Sequence, residues 1–143
     1  MGRQAILALL NELLEGERAG AKAAILCRDD TLHPGVDAVL HAVGADEGHF
    51  CSMLMRHIAR MDGTPSRATG MFFDRLRAIP DLAGRLAFLN RGQRWVVRRL
   101  DEALPGIRDG WLQQDLTEMR DVHVRNIGRC EGAIGQLRHE PAR

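Results

Sequence analysis

Four polar residues interrupt the apolar stripes of four predicted helices, and their side chains are of the types that bind divalent metal ions. They lie one on each helix: Glu17, Glu47, Gln93 and His123. Two carboxylates and one imidazole form the ligand set expected of a mononuclear iron site, and the same set accepts manganese or zinc. The Gln93 amide suits a weak oxygen ligand or a group that fixes Glu17. The four residues equally suit a metal-free layer that shares protons and hydrogen bonds.

Four amphipathic helices must position these groups. They are expected at about 3–27, 35–61, 81–104 and 108–137. Each has apolar residues three and then four positions apart, which keeps one helical face inward. The stripe of the first helix is Ile6, Leu10, Leu13, Glu17, Ala21 and Ala24. The polar group therefore lies on the same inward face as the leucines of its own helix.

The positions of the four polar groups along the chain predict that they face each other in pairs. In an antiparallel hairpin, residues equidistant from the turn are neighbours; positions 17 and 47 are centred on 32, and positions 93 and 123 on 108. Both centres fall in predicted turns, at 28–35 and 105–110. Position 93 follows 17 by 76 residues, and 123 follows 47 by the same interval. The chain thus has the pattern of a duplicated helical hairpin.

A connection over 62–80 joins the two predicted hairpins. Gly70 and Pro80 interrupt it, and an apolar run at 71–73 predicts a short helix over 71–78. Its length is sufficient to carry the chain from one end of a bundle to the other. With 143 residues, about the size of one domain, residues 1–143 are expected to form a single all-α domain. A polar tail over 138–143 is expected to be mobile.

Composition argues against several classes of function. The net charge of +1 gives no electrostatic footprint of a nucleic-acid binder, and no stretch approaches the roughly 20 apolar residues of a membrane span. Cys27, Cys51 and Cys130 are an odd set without Cys-x-x-Cys spacing, which argues against a disulfide framework. No secretory apolar region opens the sequence. We therefore expect a cytoplasmic protein that binds neither nucleic acid nor membrane.

Three stretches carry a family resemblance: residues 13–20 (LLEGERAG), 46–51 (DEGHFC) and 89–98 (LNRGQRWVVR). Together with the two hairpins and the long crossover, they resemble the ferritin-like superfamily of rubrerythrins and bacterioferritins, and more narrowly a bacterial ferritin-like family of unassigned function. The resemblance implies a ferritin-like antiparallel four-helix bundle of two helical hairpins joined by a long crossover. It also implies a homodimer, since ferritin-like bundles often pair.

The resemblance further implies a di-iron pattern, which the first half of the sequence keeps only in part. The full pattern has one Glu on each of two helices and Glu-x-x-His on each of the other two. Glu17 matches a lone Glu, and Glu47 matches the Glu of the second helix. Phe50 stands where the histidine of that motif would be.

The second half of the sequence departs further from the di-iron pattern. Gln93 replaces the lone Glu, His123 stands where the motif Glu would be, and Asn126 stands where its His would be. The remaining ligands therefore fit one divalent ion rather than two, and they fit a layer without metal as well. A shifted register offers Asp46-x-x-His49 as an alternative carboxylate and imidazole pair, on a face that leans away from the apolar stripe.

Three functions are compatible with these residues. The first is a metal-dependent oxidoreductase or metal-handling protein built on Glu17, Glu47 and His123. The second is a metal-free interaction module that kept the bundle and lost the di-iron chemistry. The third is a small-ligand binder with a pocket near the glycines that flank the layer, Gly16, Gly20, Gly44 and Gly48. The pattern identifies neither a substrate nor a catalytic residue.

The remaining histidines and tryptophans are assigned to the surface. The histidines that fall in turns, on mixed faces or in the tail are expected to be solvated: His33, His41, His57 and His139. Trp95 and Trp111, on or near outward positions, are candidates for anchoring a dimer interface.

Overall fold

The computed structural model describes residues 1–139, which are mostly helical and contain no strand. In chain order the helices are α1 (Arg3–Asp29), α2 (Pro34–Arg60), α3 (Phe72–Arg77), α4 (Leu82–Ala103) and α5 (Gly110–His139), with a 3₁₀ turn at Leu104–Gly106. The predicted all-α class, with four long helices and a short one in the crossover, is confirmed. Within this range no helix is long and apolar enough to cross a membrane.

The helix ends differ from the predicted ones by one or two residues, partly because side chains cap them. The His33 ring accepts from the first N–H groups of α2, which begins at Pro34 rather than 35. Asp109 accepts from the Leu112 N–H at 3.1 Å, so α5 begins at Gly110 rather than 108. Side-chain acceptors at these positions satisfy N–H groups that have no partner within the helix.

Two helices run past their predicted ends. α1 continues to Asp29, and α5 continues to His139. The first two residues of the tail that was expected to be mobile are therefore helical. The rest of that tail, 140–143, lies outside the described residues.

The long helices pack as two pairs that contact each other. α1 packs along α2 and α4 along α5; the pairs meet through α2 against α5 and through α1 against α4. Short connections at 30–33 and 104–109 join the helices within each pair. α3 lies against α1 and α4, so the crossover lies beside the line where these two helices meet.

Polar contacts attach the crossover to α1. Arg18 donates to the carbonyl of Ser66 at 2.8 Å, and Asn11 donates to the carbonyl of Thr64 at 3.1 Å. The Ser66 hydroxyl donates to the Glu15 carboxylate. These bonds hold the first part of the crossover against α1 and direct the chain toward α3.

Two apolar clusters fill the interior, one on each side of the polar residues. The larger cluster includes Leu10, Leu13, Phe50, Leu54, Leu100 and Leu116. The smaller cluster includes Ala23, Cys27, Leu40, Leu86, Leu89 and Cys130. Burial of these side chains is the main favourable contribution to folding. Positions 17, 47, 93 and 123 lie between the clusters, where the stripes change from one to the other.

Candidate metal centre

The four interrupting residues lie in the interior, one from each long helix. Glu17, Glu47 and Gln93 are each 2% exposed, and His123 is 1% exposed. One ligand atom from each of Glu17, Glu47 and His123 can be chosen so that all three lie within 4.8 Å of one another. The predicted burial of all four side chains is confirmed. We call these four residues the polar layer.

A backbone carbonyl fixes the orientation of the His123 ring. Nδ1 of His123 lies 2.8 Å from the carbonyl oxygen of Met119, and since a carbonyl only accepts, Nδ1 carries the hydrogen. In the neutral ring Nε2 then carries a lone pair, and it lies 2.7 Å from Oε1 of Glu17. Metal-binding histidines have the same arrangement, with the outer nitrogen held by a carbonyl or carboxylate.

Each member of the polar layer has one buried atom without a hydrogen-bond partner among the described residues. The atoms are Glu17 Oε1, Glu47 Oε2, Gln93 Oε1 and His123 Nε2. The short contact between Glu17 and His123 is thus an ion pair by distance but not a hydrogen bond by direction. An unpaired buried polar atom costs about 1–3 kcal/mol, so a cation shared by Glu17, Glu47 and His123, which can offer ligand atoms within 4.8 Å of one another, would remove an unfavourable contribution from these three residues.

The three ligand atoms are close enough to share one metal ion after their side-chain ends adjust. Atoms bound to the same four-coordinate ion at about 2.0–2.2 Å lie roughly 3.3–3.6 Å apart. The three atoms lie within 4.8 Å of one another, and Glu17 Oε1 lies 2.7 Å from His123 Nε2. Binding of one ion therefore requires the contact between Glu17 and His123 to widen and the longer separations to shorten, by about 1 Å or less in each case.

Electrostatics favour cations, either protons or a metal, in the polar layer. Burial, then the carboxylates of Glu17 and Asp46, raise the pKa of Glu47 well above its usual value. Burial alone would lower the pKa of His123, but the Glu17 carboxylate and the Met119 carbonyl outweigh it, and the net pKa is raised. Without a metal, the layer therefore retains protons at Glu47 and His123. A metal ion would have to displace them.

Gly20 provides the space for the Glu47 carboxylate. A Cβ atom built on Gly20 would lie 1.8 Å from Glu47 Oε2, so no other residue fits without moving that carboxylate. A Cβ on Gly44 would lie 3.3 Å from Ala24 Cβ, which reflects the close approach of α1 and α2, whereas Gly48 faces open space. The glycines around the layer thus have different roles.

Gln93 presents its oxygen to the layer because its amide nitrogen is engaged elsewhere. Nε2 donates to Asn90 Oδ1 at 2.8 Å and lies 3.5 Å from the Cys130 sulfur. Asn90 in turn donates to the carbonyl of Ile127 at 3.0 Å. Burial raises the pKa of Cys130 to about 11, so this thiol stays protonated and is a poor metal ligand.

The residues of the shifted register do not assemble into a site. His49 is exposed, while Asp46 is half-buried. Asp46 accepts from Asn126 at 3.0 Å, and Arg129 donates to the same asparagine at 3.2 Å. In place of the alternative Asp46 and His49 pair, the structure has a hydrogen-bonded chain that holds α2 against α5.

Sequence reasoning missed two buried polar residues, His57 and Asn90. The prediction that His57 is solvated is wrong: it is 0% exposed, with Nε2 2.6 Å from Asp115 and Nδ1 3.0 Å from Arg60. Its position between Leu54 and Ile58 was a signal for burial. Asn90 lies three residues before Gln93, on the same helical face.

A cleft of about 510 Å³ reaches the polar layer from the outside. Its lining includes all four layer residues, Gly16 and Gly20 from α1, and Phe72 and Arg75 from α3. Gly44 and Gly48 are not part of it, so only half of the predicted glycine-lined pocket is present. We call this space the α1–α4 cleft. It gives small molecules a route to groups that are themselves almost fully buried.

The fold and the site define an all-helical protein with a layer of buried carboxylates and an imidazole at the end of a cleft. Residues 4–132 match the family model described as Domain of unknown function (DUF6306). Because the match covers most of the chain, the protein belongs to this family. No curated protein matches the chain. The family description assigns no activity, so the chemistry is argued from the residues themselves.

Proposed function

We propose that this protein binds one divalent metal ion in its core through Glu17, Glu47 and His123. The observation that carries the proposal is the set of buried atoms without hydrogen-bond partners, one from each long helix. A folded protein seldom leaves several such atoms facing each other. A shared cation satisfies them together, and the donor set of two carboxylates and one imidazole suits iron, manganese or zinc.

The metal site that we propose is mononuclear. Phe50 is buried, with its ring centroid 5.6 Å from that of His123, at the position where a second imidazole would be needed. The Asn126 side chain donates a hydrogen bond to Asp46. Neither residue supplies a ligand for a second ion, while Gln93 Oε1 is free to be a weak fourth ligand or to orient Glu17.

The chain's own residues set how such an ion would be used. A bound iron or manganese would supply redox chemistry, and any of the candidate ions would supply Lewis acidity. His123 is held in its binding tautomer by Met119, and Gly20 leaves room for the Glu47 carboxylate. The α1–α4 cleft admits a small molecule to the layer. We therefore propose a metal-dependent enzyme, which would be an oxidoreductase with iron or manganese bound.

We also propose that the fold is a ferritin-like four-helix bundle. The pairing of α1 with α2 and of α4 with α5, together with the crossover between the pairs, supports this proposal. The sequence pattern of one polar group per helix at a common height supports it as well. A reduced ligand set in that fold corresponds to a ferritin-like protein with one metal rather than two.

A metal-free interaction module is the second candidate, and one contact favours it. The 2.7 Å approach of Glu17 to His123, with the raised pKa of His123, is what an internal ion pair would produce. In that case protons alone occupy the layer, and function lies in the binding of a partner.

A homodimer also stays a prediction. Trp111, a candidate for anchoring a dimer interface, is 47% exposed, and light scattering of the purified protein measures the mass directly.

Metal content of purified protein tests the proposed function. Tag-free protein, prepared without chelators from cells supplied with iron, manganese and zinc, is analysed by plasma mass spectrometry. We expect about one ion per chain in the wild type and a loss of most of it in Glu47→Gln and in His123→Leu. Glu118→Gln, an exposed carboxylate on α5, is the matched control. Wild-type protein that folds but carries no stoichiometric metal contradicts the proposal and favours the interaction module.

A further inference from the structure

The α1–α4 cleft has the size and the walls of a binding site for a small molecule with an apolar body. Its volume of about 510 Å³ lies within the range of roughly 300–1,000 Å³ typical of such sites. Phe72, Phe88 and Trp95 contribute to its lining. The rings of Phe72 and Phe88 stack with centroids 4.8 Å apart. Phe72 can lie this deep because Gly92 has no side chain: a Cβ there would be 2.9 Å from the ring.

Positive charge without a carboxylate partner surrounds the outer part of the cleft. Arg75 of α3 and Arg91 and Arg98 of α4 line it, and all three are exposed. Within residues 1–139 none of them forms an ion pair; Arg91 only stacks on Phe88, 5.7 Å from the ring centroid.

The acidic residues of the outer lining are already engaged. Glu12 pairs with Arg99 at 3.2 Å, and Glu15 accepts from the Ser66 hydroxyl. The hydroxyl does not neutralise Glu15, but three arginines against this one carboxylate still give the outer part of the cleft an excess of positive charge. The inner end lacks this excess, because Glu17 and Glu47 form part of the lining there together with His123.

We propose that the cleft binds an amphipathic anion, in its simplest form an aliphatic carboxylate of medium chain length. The arginines attract the anionic head, because a guanidinium binds carboxylates with parallel hydrogen bonds. The aromatic walls receive the hydrocarbon chain. The inner end has no comparable excess of positive charge, because the Glu17 and Glu47 carboxylates balance the protons or the divalent ion held there. The head therefore stays at the arginines, and the hydrocarbon chain points inward toward the polar layer. The binding proposal itself does not depend on the metal. It rests on the proposed function only in one respect, that a carbon of the hydrocarbon chain is the part of the substrate that lies nearest the metal.

Tryptophan fluorescence gives a direct test, because only one of the two tryptophans lines the cleft. In a Trp111→Phe background, Trp95 is the single reporter. The probes are hexanoate, octanoate and the uncharged octan-1-ol. Each buried methylene contributes about 0.8 kcal/mol, so octanoate is expected to bind roughly tenfold more tightly than hexanoate. Octan-1-ol is expected to bind more weakly than octanoate, since it lacks the charge.

Arginine variants separate the anion site from general surface charge. Arg91→Gln and Arg98→Gln are each expected to weaken octanoate about fivefold, the scale of an exposed ion pair, and to leave octan-1-ol unchanged. Arg125→Gln, an exposed arginine on α5 outside the cleft, is the matched control and should have no effect. Gly16→Leu fills the cleft with a good helix-forming residue and should abolish binding; circular dichroism checks that it folds.

Three results overturn the proposal: no saturable binding of octanoate, equal affinity for hexanoate and octanoate, or equal effects of Arg98→Gln and Arg125→Gln. Failure of the proposed function is distinguishable from these results. If the purified protein contains no metal but still binds octanoate with the expected arginine dependence, the cleft proposal stands and the metal proposal is contradicted. Metal-loaded protein that binds no octanoate does the reverse.

Discussion

Two histidines are enclosed in this protein, and they differ in how their ring nitrogens are paired. His57 has Nε2 2.6 Å from Asp115 and Nδ1 3.0 Å from Arg60. His123 has one nitrogen paired with a backbone carbonyl, while the other approaches Glu17 without forming a hydrogen bond. The first imidazole is complete as it stands. The second has its Nε2 beside a carboxylate oxygen with no hydrogen bond between the two atoms.

The difference follows from the position of each histidine in its helix. His57 is three residues from the end of α2, where Asp115 and Arg60 are partly exposed and can reach inward. His123 lies in the middle of α5, between two apolar clusters, where its polar neighbours are the Met119 carbonyl and the other members of the polar layer. A fully paired buried polar group stabilises a fold, whereas an incompletely paired one is a place where a ligand gains binding energy. We therefore infer that His57 has a structural role and that His123 binds a ligand.

The largest expected effect on stability is that of His57→Ala. It leaves a cavity and removes the partner of Asp115, so we expect the free energy of unfolding to fall by about 3 kcal/mol. The fall should be the same with metal and with chelator, measured by urea denaturation under both conditions. A change below about 1 kcal/mol would contradict the structural role given to this residue.

His123→Leu should show the opposite pattern. Wild-type protein is expected to gain about 2.7 kcal/mol at a free metal concentration one hundred times its Kd, and the variant should lose this gain. With chelator present, the variant should differ from wild type by much less than His57→Ala does. Thermal denaturation of the two variants, each with and without metal, tests this reversal. A metal-dependent gain that survives in His123→Leu would remove that residue from the ligand set.

The polar layer also predicts a pH dependence in the metal-free state. Because the pKa of Glu47 is raised above its usual 4.5, the folded protein holds that proton more tightly than the unfolded chain. The stability contribution of this carboxyl is present below the usual pKa and is lost as the pH rises through the folded value. With chelator, the stability of wild type relative to Glu47→Gln should thus fall as the pH rises, by at most about 1.4 kcal/mol per pH unit.

Denaturation of wild type and Glu47→Gln at several pH values between 5 and 8 measures this difference. With metal bound, the sign should reverse, because the metal competes with the same proton and binds more tightly as the pH rises. Two parallel pH profiles for wild type and Glu47→Gln in chelator would show that Glu47 is not the buried proton carrier.

Gly20→Ala is expected to have the smallest effect, and it should fall on the site rather than the fold. The new Cβ overlaps the Glu47 carboxylate, which lies at the end of a flexible side chain and can move away. We expect metal affinity to fall about tenfold, which is about 1.4 kcal/mol, while stability in chelator changes by no more than about 1 kcal/mol. Gly48→Ala, whose Cβ would meet nothing within 4 Å, is the control. Isothermal titration of both variants with the metal found in the wild type measures whether only Gly20→Ala lowers the metal affinity.

The sequence was sufficient to predict the polar layer but not its surroundings. Helical periodicity predicts that the polar-layer residues point inward: Glu17, Glu47, Gln93 and His123. The symmetry of a hairpin about its turn predicts that the two residues of each pair lie at the same level along the helices. Both predictions follow from local rules. His57 has the same local pattern. Its partner Asp115 is on another helix, and only tertiary packing identifies it as a paired group rather than a solvated one.

The cleft was beyond sequence reasoning because its form depends on where the crossover lies. Hydrogen bonds from Arg18 and Asn11 to backbone carbonyls hold residues 64–68 against α1. The hydrophobic periodicity of the sequence does not predict such contacts. Arg91 and Arg98 of α4 line the cleft, a role that depends on α3 packing beside α4.

Anomalous diffraction from crystals of metal-loaded protein tests the central claim most directly. Data collected on both sides of the absorption edge of the metal found by elemental analysis give the position of the ion without assumptions about its ligands. We predict one peak per chain, within bonding distance of Glu17, Glu47 and His123 Nε2. A polar layer without a peak, with hydrogen bonds between these side chains instead, would contradict the account and leave His123 with a structural role like that of His57.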